Sequence, residues 1–200
     1  IADILKNAVG EIEVVAIIDG FRHPVELPPD PRLVIIKHRH PKGMRATINA
    51  GAKVASGKYL MKTDAHCLFA PGFDEVLKAD CEANWVVIPR RYSLDAQNWQ
   101  RDRRRAVRDY HYLCYPDPHK DHDQGMHGGE WPDRGHERAD PKYAIDDNMS
   151  FQGSCWFMHK SWFTDFLDGM DENPIFAGWA QEPTEIGNKT WLGGGEVKVN

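Results

Sequence analysis

Asp64 and His66 stand two residues apart at the end of an apolar run, "KYLMKTD" (58–64), and Cys67 follows them. A carboxylate and an imidazole are costly to desolvate, so a buried strand that ends on both needs a reason. Where the chain turns, residues i and i+2 need not point to opposite faces, and both groups can then reach one divalent ion. An oxygen and a nitrogen donor together suit Mn²⁺ or a similar ion better than Ca²⁺. The same two residues also read as an ordinary strand-end turn, with Asp64 capping the next segment. Two other groups carry possible chemistry. His119, His122 and His127 have spacings that could hold zinc, or they belong to a solvated loop. Arg101, Arg103, Arg104, Arg105 and Arg108 form a basic run that could grip phosphate, or a solvated face paired with nearby Asp residues.

The elements that must position these residues alternate. "IADILKNA" has helical spacing, "EIEVVAII" (11–18) is a β-branched run ending at Asp19-Gly20, and "RLVIIKHR" (32–39) is a second run. A helix is expected over 44–56, stopped by Gly57, then the 58–64 strand, a helix begun by Pro71, and a strand "WVVIPRRY". Such alternation predicts an α/β fold with a mostly parallel central sheet flanked by helices. Ligands bind such sheets at the carboxyl ends of the strands, which puts Asp19 and Asp64 on one rim. From 92 to 147 the chain is rich in charge, His, Gly and Pro; apart from a possible helix near 101–112 it contributes little core. Order returns with a strand-like run over 149–160, a helix "SWFTDFLDGM", a helix begun near Glu182 and broken by Gly193 to Gly195, and a last strand.

With 200 residues, 41 % of them hydrophobic, the chain can bury one good core but not two large domains. A formal charge of −5 argues against a protein that coats nucleic acid or anionic membrane over its whole surface. No apolar run approaches the ~20 residues of a membrane span, so no transmembrane segment is expected. The four cysteines form no CxxC pair, which favours reduced thiols and a cytoplasmic location over a disulfide framework. Ile1 at the start and a strand-like run at the end suggest that both ends are cut from something longer.

"TDAHC" after an apolar strand, preceded by a helix ending "AKVASG", resembles the metal motif of GT-A glycosyltransferases of the family 2 type. The form is that of the polypeptide N-acetylgalactosaminyltransferases, which carry Asp-x-His where most relatives carry Asp-x-Asp. Gly43, Gly51, Gly57, Asp64, His66 and Cys67 fall in register. "FQGSCWFMHKSWF" is similar to that family's Gly-Gly strand, with Ser154 at the second Gly. "WAQEPTEIGNKTWLGGGEV" parallels its Trp-x-x-Glu-x-x-Glu segment through Trp179, Glu182 and Glu185.

The resemblance implies a single GT-A domain over 1–200 whose usual first strand would precede Ile1. Residues 1–91 would form a nucleotide-binding half, 92–147 an irregular charged segment, and 148–200 an acceptor- and sugar-side half. It implies a sugar moved from a nucleotide-diphosphate donor, a UDP-sugar, to a hydroxyl. Asp64 and His66 would hold Mn²⁺ (or Mg²⁺) against the diphosphate. Asp19 would accept a hydrogen bond from the base, Arg45 would stand in for the family's paired Arg, Gly153 would admit the sugar closely, and Trp179 would wall the pocket. Glu182 would lie by the sugar or acceptor hydroxyl, with Glu185 orienting its surroundings; both also read as acids favoured at a helix N-terminus. Pro183 stands where many inverting relatives place their catalytic Asp, so either Glu182 takes the proton or the enzyme is retaining. The usual third metal ligand would fall beyond Asn200. Acceptors compatible with the sequence are protein Ser or Thr, a glycan or lipid-linked sugar, and a modified DNA base. A non-catalytic nucleotide-sugar-binding module and a nucleotidyltransferase are the alternatives.

Overall fold

The computed structural model describes residues 1–116, 126–138, 145–174 and 181–200. A short helix α1 (Ala2–Asn7) precedes strand β1 (Val14–Asp19), which pairs in parallel with β2 (Leu33–His38). Helix α2 (Met44–Val54) crosses to β3 (Tyr59–Thr63), and α3 (Phe73–Ala79) leads to β4 (Trp85–Ile88). A two-residue ribbon, β5 (Leu94–Asp95) with β6 (Gln100–Arg101), is followed by the hairpin β7 (His111–Cys114) and β8 (His127–Glu130) and by α4 (Pro132–Glu137). The chain closes with β9 (Asp146–Asp147), β10 (Cys155–His159), α5 (Glu182–Leu192) and β11 (Glu196–Val199).

The main sheet has the order β3-β10-β4-β11-β9. It is mixed rather than mostly parallel, because β10 runs antiparallel to both β3 and β4 and β9 antiparallel to β11. Its centre carries the core: Val86, Trp156, Met158, Val197 and Val199 are buried, and Ile186 of α5 and Phe163 pack on them. β1 and β2 form a separate sheet. Between β1 and the β3 edge runs a cleft of about 750 Å³ lined by Val14, Val15, Ile17, Tyr59, Met61 and Phe157 among others. Helix α2 bridges the two sheets. Its Ala52 belongs to the main core, and its Gly51 lies so close to β1 that a Cβ would stand 3.1 Å from Ile17 Cδ1.

Two expected helices take other forms. Residues 101–110 are not helical, because the Asp102 carboxylate takes the Arg104 amide (3.0 Å) and Arg104 Nε (2.9 Å), a local bond that competes with a helical turn. "SWFTDFLDGM" is a π-helical turn (Trp162–Phe166), with the Leu167 amide bonded to Trp162 O at 2.9 Å. Asp168 and Gly169, both at positive φ, end it.

The β7–β8 hairpin buries an imidazole. His111 is 6 % exposed and its Nδ1 has no hydrogen-bond partner. Burial, then the Arg91 guanidinium, push its pKa down to about 4. The unfolded chain takes up this proton near pH 6.5 and the folded chain only near 4, so the stability this neutral ring contributes is present above 6.5 and is lost as pH falls to 4. The expected loss is on the order of 3 kcal/mol. Urea denaturation from pH 7 to 4 checks it, and His111→Leu should flatten that part of the slope.

Candidate donor site

β3 ends on Thr63, and its backbone partner is the chain just before β10: the Asp64 amide donates to Ser154 O at 2.8 Å. That bond brings Asp64 alongside Gly153. A lysine completes the junction. Strand alternation puts Lys62 on the same face as Asp64, and its Nζ donates to Asp64 Oδ1 (2.6 Å) and to Gly153 O (2.5 Å). The Lys62 side chain is 13 % exposed and that of Asp64 29 %. Asp64 Oδ2 lies 3.8 Å from Nε2 of His66, whose ring is 75 % exposed.

On its other side Gly153 meets Glu182, the first residue of α5. A Cβ at 153 would overlap Glu182 Oε1 and stand 3.0 Å from its Cδ and 3.1 Å from Pro183 Cγ, so any side chain here would have to push Glu182 aside. Glu182 is 5 % exposed, and its Oε2 is buried without a hydrogen-bond partner. Pro183 sits in the first turn, where no amide is lost to the helix. Gln181, before it, is held at φ +74, a left-handed conformation that costs a non-glycine residue about 1 kcal/mol or more. Asp64, His66, Gly153 and Glu182, distant in sequence, therefore meet at one rim of the main sheet. Lys62 is the residue that sequence reading missed, although its place two residues before Asp64 on a strand was signal enough.

The other expected site residues have different surroundings. Asp19 is engaged by its own chain: it accepts from His38 Nδ1 (2.8 Å), Lys42 N (2.9 and 3.0 Å) and Gly43 N (2.9 Å). Burial opposes ionisation there, but the Lys42 amide, His38 and the Gly43 amide outweigh it and hold the Asp19 carboxyl below its usual range. It shapes the loop that starts α2, and a nucleotide base would have to share these acceptors. Arg45, expected at the donor, is instead buried against the Glu185 carboxylate and Asp171 O. Glu185 does not face solvent. It also accepts from Lys189 Nζ (2.8 Å) and the Asp171 amide (3.0 Å), and these partners, with Arg45, hold its carboxyl below the usual range although burial pulls the other way. Trp179, His119 and His122 lie outside the described residues, and His127 is in β8. The arginine run is divided: Arg104 and Arg105 pair with Asp102, Arg108 with Glu130, and Arg101 lies over the Tyr92 ring.

Asp64 and His66 supply a donor set that fits a Mn²⁺-type ion, one carboxylate oxygen and one imidazole nitrogen on a common side. Among the described residues no group of three or more His, Cys, Asp or Glu lies close enough to hold a metal, so phosphate oxygens of a ligand would have to complete the shell.

Residues 10–167 match the family model described as glycosyl transferase family 2. The chain belongs to glycosyl transferase family 2. No curated protein matches it. Among solved structures, this family 2 chain is similar to that of GalNAc-T7 with UDP, GalNAc and Mn²⁺, with a TM-score of 0.67 and 16 % identity. The likeness covers 98 % of this chain and 38 % of the other, and it shows the GT-A fold. The family 2 chain thus spans well under half of that relative. Among its described residues no helix is long and apolar enough to cross a membrane.

Proposed function

We propose that this chain is the donor-binding and transfer unit of a glycosyltransferase that moves a sugar from a nucleoside diphosphate, UDP in the first instance, to a hydroxyl. The convergence of Asp64, Gly153 and Glu182 carries the reading. Gly153 lets the Glu182 carboxylate lie directly against the strand end, and Glu182 presents one buried oxygen that lacks a partner. A sugar or acceptor hydroxyl is the kind of group that would satisfy it. Asp64 and His66 would hold Mn²⁺, or Mg²⁺ in its place; the metal, when bound, offsets the charge that builds on the leaving diphosphate.

The chain's own residues then divide the work. Glu182 Oε2 accepts the proton of the attacking hydroxyl as its oxygen bonds to the anomeric carbon and the bond to the diphosphate breaks. Glu185 is a positioning residue: clamped by Arg45 and Lys189 one turn further on, it fixes the first turn of α5 and so the direction of Glu182. Asp19 shapes the base end through the Lys42 loop. The acceptor is a hydroxyl of a protein, glycan or modified base. The division of the arginine run among local acids weighs against the last. Four cysteines without a disulfide support a reducing, cytoplasm-type compartment.

Calorimetry of UDP binding with and without Mn²⁺ tests the donor site. Binding should depend on Mn²⁺, and His66→Ala should remove that dependence while leaving the melting temperature in place, since an imidazole so exposed carries little of the fold. UDP binding indifferent to Mn²⁺ in both proteins would remove the metal assignment. The hold of Lys62 on Asp64 favours a second reading, a nucleotide-sugar binder without turnover. Slow hydrolysis of UDP-sugar by the wild-type chain separates the two.

A further inference from the structure

Lys62 is a nearly buried ammonium with two oxygen partners, Asp64 Oδ1 at 2.6 Å and Gly153 O at 2.5 Å. A lysine so enclosed needs both, because a buried charge without partners is not tolerated. Asp64 is one of the two residues that would hold a metal, so the carboxylate that should attract a divalent cation is already neutralised by a cation of the chain's own. The oxygen nearest the strand is taken, and a like charge stands beside the place where the ion would sit. The same ammonium holds the carbonyl of Gly153, the residue that abuts Glu182.

We infer that Lys62 is a resident counter-charge that keeps divalent metal off Asp64 until a nucleoside diphosphate is present. The inference rests on the donor-site reading above and adds a residue to it. Free metal must displace the ammonium from Asp64 with nothing to receive it. A diphosphate supplies the receiver, since its oxygens accept from the Lys62 ammonium and release Asp64 Oδ1. Metal and diphosphate then bind interdependently, each raising the affinity of the other by the same factor.

The experiment is Mn²⁺ binding in the absence of nucleotide, read from the electron spin resonance signal of free Mn²⁺, on wild type, Lys62→Met, Lys62→Gln and Lys62→Arg. Removing the charge should tighten Mn²⁺ binding about tenfold to a hundredfold, the usual size of a coupling between two binding events. Lys62→Arg, which keeps the charge, should stay with wild type. Equal Mn²⁺ affinity in wild type and the folded neutral variants overturns the inference. Thermal melts establish which variants are folded, and Gln, which keeps much of the length and hydrogen bonding, covers a failure of Met. Wild type alone gives an independent test: tight, micromolar-class Mn²⁺ binding without nucleotide would also overturn the inference. Adding UDP separates the two readings. Wild type that never binds UDP with Mn²⁺ sinks the donor site, while the comparison of Mn²⁺ alone across the variants still judges Lys62.

Discussion

Glu182→Gln should lower sugar transfer by about 10²- to 10⁴-fold, the usual contribution of a positioned acid or base, while UDP affinity stays close to that of wild type. The side chain keeps its shape, so the space next to Gly153 is unchanged. What is lost is the oxygen that can take a proton. Because Glu182 Oε2 is buried and has no partner, the substitution breaks no hydrogen bond in the resting protein, and stability should hold or rise. That combination separates catalysis from folding. UDP release measured with donor and a panel of hydroxyl acceptors, beside a thermal melt, reads both. A Gln variant that transfers sugar at the wild-type rate would remove Glu182 as the base and point to a retaining displacement.

Arg45→Met should cost about 3 kcal/mol of stability, the lower end of the range for removing one partner of a buried ion pair. Arg45 is 6 % exposed and reaches from α2 to Glu185 of α5, 140 residues away, so it ties the two helices on which the site depends. Its removal strands a carboxylate that burial already disfavours, although Lys189 and the Asp171 amide still support it. For a chain of this size the loss corresponds to a fall of roughly 6–12 °C in melting temperature. Arg45→Met with Glu185→Leu should recover part of the loss, because the buried carboxylate goes with its guanidinium, while the half-exposed Lys189 keeps solvent and the Leu167 and Gly169 carbonyls as acceptors. A direct donor contact by Arg45 predicts a different pattern, with UDP affinity lost in a protein that melts normally.

The contrast between these residues shows what the sequence could reveal. The strands and the Asp-x-His turn were legible because period-2 patterns and strand-end acids are local facts. The meeting of Asp64 with Glu182 was legible only through three spaced blocks that resembled one family. Arg45 reads from the sequence only as a stand-in for the paired Arg of the resembling family, and nothing near it in sequence reveals the contact with Glu185, 140 residues away. The 101–112 segment misled because its spacing is helical, while Asp102 turns the backbone aside with its own side chain. The antiparallel course of β10 was invisible because strand direction is a property of connections, and the connection before it is the long irregular segment.

The cleft between β1 and β3 has a consequence for how the chain behaves in solution. Among the described residues each of these strands has a ladder on one side only, and the hollow between them is lined by Val14, Val15 and Ile17 on one bank and Tyr59 and Met61 on the other. Neither strand contains proline, and the one charged side chain within β3 is that of Lys62. An unpaired strand edge is a template for a further strand, so the hollow between β1 and β3 is the place on this fold where added β-structure would pair.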